Sequence, residues 1–178
     1  MFPRGLLREA PSSLARAGIV VLTRCDQVSL CERGRLREVV ARLAPGVPVA
    51  EATHRPSEWT NSEREKAPLE RLTDRPVAAF CGIGNPEAFR STLAGLGLSV
   101  SDFRSFPDHH RYTPADIDDL EAWVGRQAMD CVVVTTQKDL VKLRLPRLAG
   151  KELWALRVRL QFEAGQDALD RKLKEALG

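Results

Sequence analysis

The stretch Val77-Ala78-Ala79-Phe80-Cys81-Gly82-Ile83-Gly84-Asn85-Pro86 decides the fold. An apolar run without the alternation of a half-exposed strand predicts a strand covered on both faces, as in a parallel sheet. Two glycines then allow a tight turn. Asn85 is a good N-cap, and Pro86 suits the first helical position, where a missing N–H costs nothing. Phe89, Leu93 and Leu96 continue on one helical face, which Gly95 to Gly97 closes. Downstream, Leu98 to Phe106 reads as a strand, and Thr113-Pro114-Ala115-Asp116 as a capping box. That box opens a helix whose buried stripe is Ile117, Leu120, Trp123 and Val124. Cys131 to Thr135 is a further buried strand, followed by a turn at Thr136 to Asp139 and a short helix through Leu143.

Working outward, Ile19 to Thr23 and Val47 to Ala52 read as strands around an amphipathic helix that carries Leu36, Val39, Val40 and Leu43. Residues 54–75 turn polar and form an excursion with a short helix around Ser62 to Leu72. A strand from Leu153 to Phe162 and a helix from Gln166 to Leu177 close the chain, so residues 151–178 form a terminal strand and helix. Strands separated by helices at this rhythm predict a single α/β domain over residues 1–178, with a mostly parallel sheet flanked by helices.

The 178 residues carry 27 Lys+Arg against 24 Asp+Glu, and 43% are hydrophobic, a balance that excludes a disordered or repeat chain. A net charge of +3 spread over mixed signs provides no basic stripe, so no nucleic-acid partner is expected. The longest apolar runs fall far short of the roughly 20 residues that cross a bilayer. Met1 to Ser13 has no continuous apolar region and reads as no secretory signal. Cys25, Cys31, Cys81 and Cys131 form no C-x-x-C pair, which favours free thiols and a cytoplasmic chain.

In parallel α/β sheets ligands sit beyond the C-terminal ends of the strands, which selects four segments. Gly82, Gly84 and Asn85 could receive an anion on free N–H groups, or simply turn the chain. Thr23 to Asp26 places a carboxylate, Asp26, where a purine edge could be read, or where a turn is merely capped. Asp108-His109-His110 sets an imidazole beside a carboxylate, a plausible acid/base unit. It also suggests a metal-dependent phosphoesterase, or just a loop ahead of the Thr113 helix. Thr136, Lys138 and Asp139 could bind phosphate oxygens or pair with charges on the surface. His54 reads as part of a turn.

Taken in order, five motifs resemble the C-terminal half of the tetraacyldisaccharide 4'-kinase family. They are P-x-G-x-L-R-E from Pro3, V-L-T-R-x-D from Val21, A-x-x-G-I-G-N-P-x-x-F from Ala79, F-P-D-H-H-x-Y-T from Phe106 and V-T-T-x-K-D-x-V-K-L from Val134. The resemblance implies a P-loop-kinase-like C-terminal domain. It also implies phosphorylation of the 4'-hydroxyl of a lipid A precursor disaccharide with ATP and Mg2+, at the cytoplasmic face of the inner membrane. On the motif matches, His109 with its neighbour Asp108 would help activate the sugar hydroxyl, and Arg8 and Glu9 would lie near the nucleotide at a domain junction, with Asp26. Gly82, Gly84, Asn85, Thr136, Lys138 and Asp139 would wall the cleft, and no metal ligand is expected among them.

The chain departs from the family pattern at Gln137, where a glutamate is usual, and it holds no Gly-x-x-x-x-Gly-Lys-Ser/Thr. The expectation is therefore one half of a two-domain kinase, inactive by itself and without tight ATP or Mg2+ binding. Its partner would be an N-terminal kinase domain that also makes the peripheral membrane contact. A nucleotide- or phospho-metabolite-binding module without catalysis is the alternative.

Overall fold

The computed structural model describes residues 9–178, which divide into two compact units, Pro56–Val158 and a second made of the chain up to Arg55 with Arg159–Gly178. The boundary falls inside two long strands, β2 (Val49–Thr60) and β8 (Lys151–Ala164).

In the unit Pro56–Val158, β4 (Pro76–Cys81) is central. It pairs in parallel with β5 (Ser99–Ser105) on one side and β6 (Val132–Thr136) on the other, and β6 pairs in parallel with β8. Successive residues of β4 and β6 enter opposite layers, which is why these two strands show no alternation in sequence. Val77, Ala79, Cys81, Val132, Val134, Trp154 and Leu156 share one core with Phe89 and Leu93 of α2 (Pro86–Gly95). Ala78, Phe80, Val133, Leu153 and Ala155 share the other. That second core also takes Leu120, Trp123 and Val124 of α3 (Pro114–Gly125), and Leu140 and Leu143 of α4 (Gln137–Leu143). The mostly parallel, helix-flanked α/β arrangement is the one expected.

Two short strands escaped the sequence reading. β3 (Lys66–Ala67) pairs antiparallel with the end of β2, and β7 (Arg147–Leu148) pairs antiparallel with the start of β8. The polar stretch after Ala52 does not leave the sheet at once: β2 continues to Thr60, and the helix expected around Ser62 to Leu72 is one 3-10 turn, Leu69–Leu72. Polar side chains are tolerated there because they are partnered. Ser57 Oγ donates to the Arg157 carbonyl at 3.1 Å, and Glu58 pairs with Arg157 at 2.7 Å and Lys66 at 3.3 Å.

The other unit pairs β1 (Val20–Leu22) in parallel with β2. It adds α1 (Leu30–Leu43), opened by a Ser29–Glu32 capping box, and α5 (Gln166–Leu177). Its buried apolar set is small, with Val20, Cys25, Val40, Ala44, Ala50 and Ala52. Buried Glu51 is compensated by Arg33 at 3.4 Å and Arg37 at 3.2 Å, and Arg33 also reaches Glu163 at 2.8 Å. All four cysteines are free. Among the described residues, no helix is long and apolar enough to cross a membrane.

Candidate functional site

The C-terminal ends of β4, β5 and β6 converge in the unit Pro56–Val158, and each end is shaped by local capping. After β4 the chain turns through Gly82 to Gly84 into α2, where Asn85 Oδ1 accepts the Ala88 N–H at 3.0 Å. After β5, the Phe106 N–H donates to the Cys81 carbonyl at 2.8 Å, which holds the start of the Pro107–Tyr112 loop against β4. That loop ends in the Thr113–Asp116 capping box of α3, with the Thr113 N–H donating to Asp116 Oδ2 at 2.7 Å and the Asp116 N–H returning to Thr113 Oγ1 at 3.3 Å. After β6, Thr136 caps α4 by accepting the Asp139 N–H at 3.3 Å.

Asp139 lies at the centre of the convergence and has no solvent exposure. Its Oδ2 accepts the Gly82 N–H at 3.0 Å and the Thr136 hydroxyl at 2.6 Å, while Oδ1 faces Lys142 Nζ at 3.4 Å. A Cβ placed on Gly82 would lie 3.1 Å from Asp139 Oδ1, 3.3 Å from His110 Cβ and 3.3 Å from the Tyr112 hydroxyl. A side chain at 82 would therefore be crowded from three sides, and Asp139, His110 and Tyr112 would each have to give by a few tenths of an ångström to admit it. Burial, and then the nearby Asp139 charge, hold the Tyr112 phenol far above its ordinary pKa and push the Cys81 thiol up to about 11, so both stay protonated.

Gly84 makes a second close approach. A Cβ there would lie 3.0 Å from Asp108 Oδ2, so the Asp108 carboxylate rests on the glycine turn just ahead of the N-terminus of α2, where the helix dipole favours a negative charge. The other Asp108 oxygen accepts the His109 N–H at 3.0 Å, and His109 takes a left-handed backbone with φ of 59°. Its side chain is 86% exposed, with Nε2 3.8 Å from Asp108 Oδ2. The imidazole is thus presented to solvent beside a carboxylate.

His110, next in sequence, is used differently. It stacks on Phe106 at 4.8 Å between ring centres, meets Tyr112 edge-on at 5.0 Å, and sets Nε2 3.2 Å from Asp116 Oδ2. The two imidazoles of the Asp-His-His run do not converge. Among the described residues, no three His, Cys, Asp or Glu side chains are grouped to hold a metal ion, and with the two imidazoles apart the arrangement gives no support to a metal-dependent phosphoesterase. Nor is the glycine turn arranged as a phosphate cradle: its Gly82 N–H is taken by Asp139, and Asp108 lies on Gly84, so an incoming phosphate would face two carboxylates.

The structure thus gathers Gly82, Gly84, Asn85, Asp108, His109, Thr136 and Asp139 at one set of strand ends. Lys138 and Gln137 are exposed on the first turn of α4. Asp26 and Glu9 belong to the other unit, with Asp26 exposed on a 3-10 turn, Cys25–Gln27, and Glu9 paired with Arg16 at 2.8 Å. Arg8 lies outside the described residues. His54 is exposed on β2. Tyr112 and Lys142 were not singled out from sequence. The T-x-x-D spacing of Thr136 and Asp139 was the one available sign that the aspartate folds back onto its own cap.

A model of the tetraacyldisaccharide-1-P 4'-kinase family matches residues 1–178. The chain belongs to this family. Relatives named tetraacyldisaccharide 4'-kinase, from Anaeromyxobacter sp. (strain Fw109-5) and Anaeromyxobacter dehalogenans (strain 2CP-C), are 37% and 39% identical to it. The matches cover 99% and 97% of this chain, and 47% and 46% of those proteins. A crystal structure of LpxK from Aquifex aeolicus in complex with ATP matches with a TM-score of 0.65 and 27% identity, over 99% of this chain and 47% of that one. The chain spans about half the length of the family members it matches.

Proposed function

We propose that the chain is the C-terminal, acceptor-side domain of a tetraacyldisaccharide 4'-kinase, which transfers a phosphoryl group from ATP to the 4'-hydroxyl of a tetraacyldisaccharide 1-phosphate in lipid A biosynthesis. The observation that carries this reading is the Asp108–His109 unit, with a carboxylate seated on Gly84 and an imidazole held out beside it. A hydroxyl becomes a competent nucleophile as its proton is withdrawn, and a histidine at hydrogen-bond reach can take that proton. In this reading His109 Nε2 helps to accept the 4'-hydroxyl proton, and Asp108 supports the imidazolium that forms. Phosphoryl transfer otherwise rests on positioning and on neutralising phosphate charge. Two carboxylates at the glycine turn disfavour that task, which suits a division of labour. The ATP phosphates and Mg2+ belong with the half of the family that this chain does not cover, and that half also docks on the cytoplasmic face of the inner membrane. On the family motifs, Arg8, Glu9 and Asp26 would serve near the nucleotide, and Lys138 would line the cleft.

Calorimetry on the 178-residue chain tests the division. Titration with ATP should give no tight binding, and ATP with the disaccharide should give no transfer. Tight ATP binding by the chain alone would instead favour a nucleotide-binding module.

A further inference from the structure

The buried aspartate of the site has no part in the chemistry proposed above, yet one of its partners, Gly82, opens the turn on which the His109 loop rests. Asp139 fixes the Gly82 N–H at 3.0 Å and the Thr136 hydroxyl at 2.6 Å. Gly82 abuts His110 and Tyr112, and two residues later Gly84 abuts Asp108. Asp108 in turn holds the His109 N–H at 3.0 Å and keeps that residue in its left-handed conformation. An unbroken series of contacts therefore runs from a fully buried carboxylate to the most exposed imidazole of the site. A charge with no solvent exposure is costly unless fully partnered. Its partners here are a strand-end amide, a cap hydroxyl and Lys142.

We infer that Asp139 is a positioning residue, which anchors the Gly82–Gly84 turn as the seat of Asp108 and so sets where His109 meets the acceptor hydroxyl. This deepens the proposed function and rests on it. Asp139 touches neither substrate and acts only through the Asp108–His109 unit. Its replacement should therefore affect turnover more than binding, and only while His109 is present.

The test is a double-mutant cycle in kinase-active protein. Asp139→Asn keeps the shape and an acceptor oxygen but removes the charge. It should lower kcat by roughly 10- to 100-fold while KM for ATP stays within about twofold. In a His109→Ala background the same substitution should change kcat by less than about twofold, since both act on one step. An equal loss in both backgrounds would overturn the inference. If His109→Ala alone left turnover unchanged, the reading of the site would fail, and the inference with it. Gly84→Ala supplies a second arm should Asp139→Asn not fold. Gly84 has no positive φ, and its added methyl would meet only Asp108. It should show the same dependence on His109, and a loss independent of His109 would again contradict the linkage.

Discussion

His109 and Asp102 show how single side chains on the β5 side of the sheet are set by their neighbours. His109 stands in the left-handed region because Asp108 captures its N–H, a conformation that a short local hydrogen bond makes tolerable. Asp102, on β5, accepts the Trp123 indole N–H at 2.6 Å, and that bond holds its carboxyl below the usual carboxylate range. Because the folded-state pKa is depressed, its contribution to stability is present above the unfolded value of about 3.9 and is lost as pH falls through the folded value. Thermal melts between pH 6 and pH 2.5 should therefore fall most steeply below about pH 4, and Asp102→Asn should flatten that part of the curve. Identical acid limbs in the two proteins would contradict the assignment. The Asp-His pair could be recognised in the sequence because it stands in a loop between two readable elements. The burial of Asp139 could not, because Lys138-Asp139 looks like a solvated charge pair until the glycine turn from β4 is folded over it.

The elements that sequence identified best were those whose ends carry their own signals. Asn85-Pro86 and Thr113-Pro114-Ala115-Asp116 each satisfy the first N–H groups of a helix, and both caps form as written. The continuation of β2 through His54 to Thr60 was hidden, since its polar residues are stabilised by partners on β8 and β3 that lie about 100 residues and about ten residues away in the chain. Two glycines make opposite predictions for the unit that contains α1 and α5. Gly34 sits in the middle of α1, where an added methyl meets nothing within 4 Å. Gly34→Ala should raise stability by about 0.5–1 kcal/mol. Gly165, at the start of α5, has φ of +74° and would place a Cβ 2.5 Å from the Val49 carbonyl oxygen. Gly165→Ala should cost at least about 2 kcal/mol, from backbone strain together with the clash. Urea unfolding midpoints would check both signs, and Thr113→Ala should lower the midpoint by the equivalent of about 1 kcal/mol.

For the whole molecule, the acceptor-side role we propose rests on membership of the 4'-kinase family, the convergence of three strand ends and the occupied glycine turn. The parallel core was legible because doubly covered strands are apolar throughout, whereas the division into two units inside β2 and β8 left no mark in composition. Whether the Asp108–His109 unit serves phosphoryl transfer is the central claim, and one rate tests it most directly. The measurement is kcat for 4'-phosphorylation of the tetraacyldisaccharide 1-phosphate by kinase-active protein carrying His109→Ala. The account predicts a loss of about 100-fold or more with KM for ATP nearly unchanged, whereas turnover equal to that of the unaltered protein would contradict it.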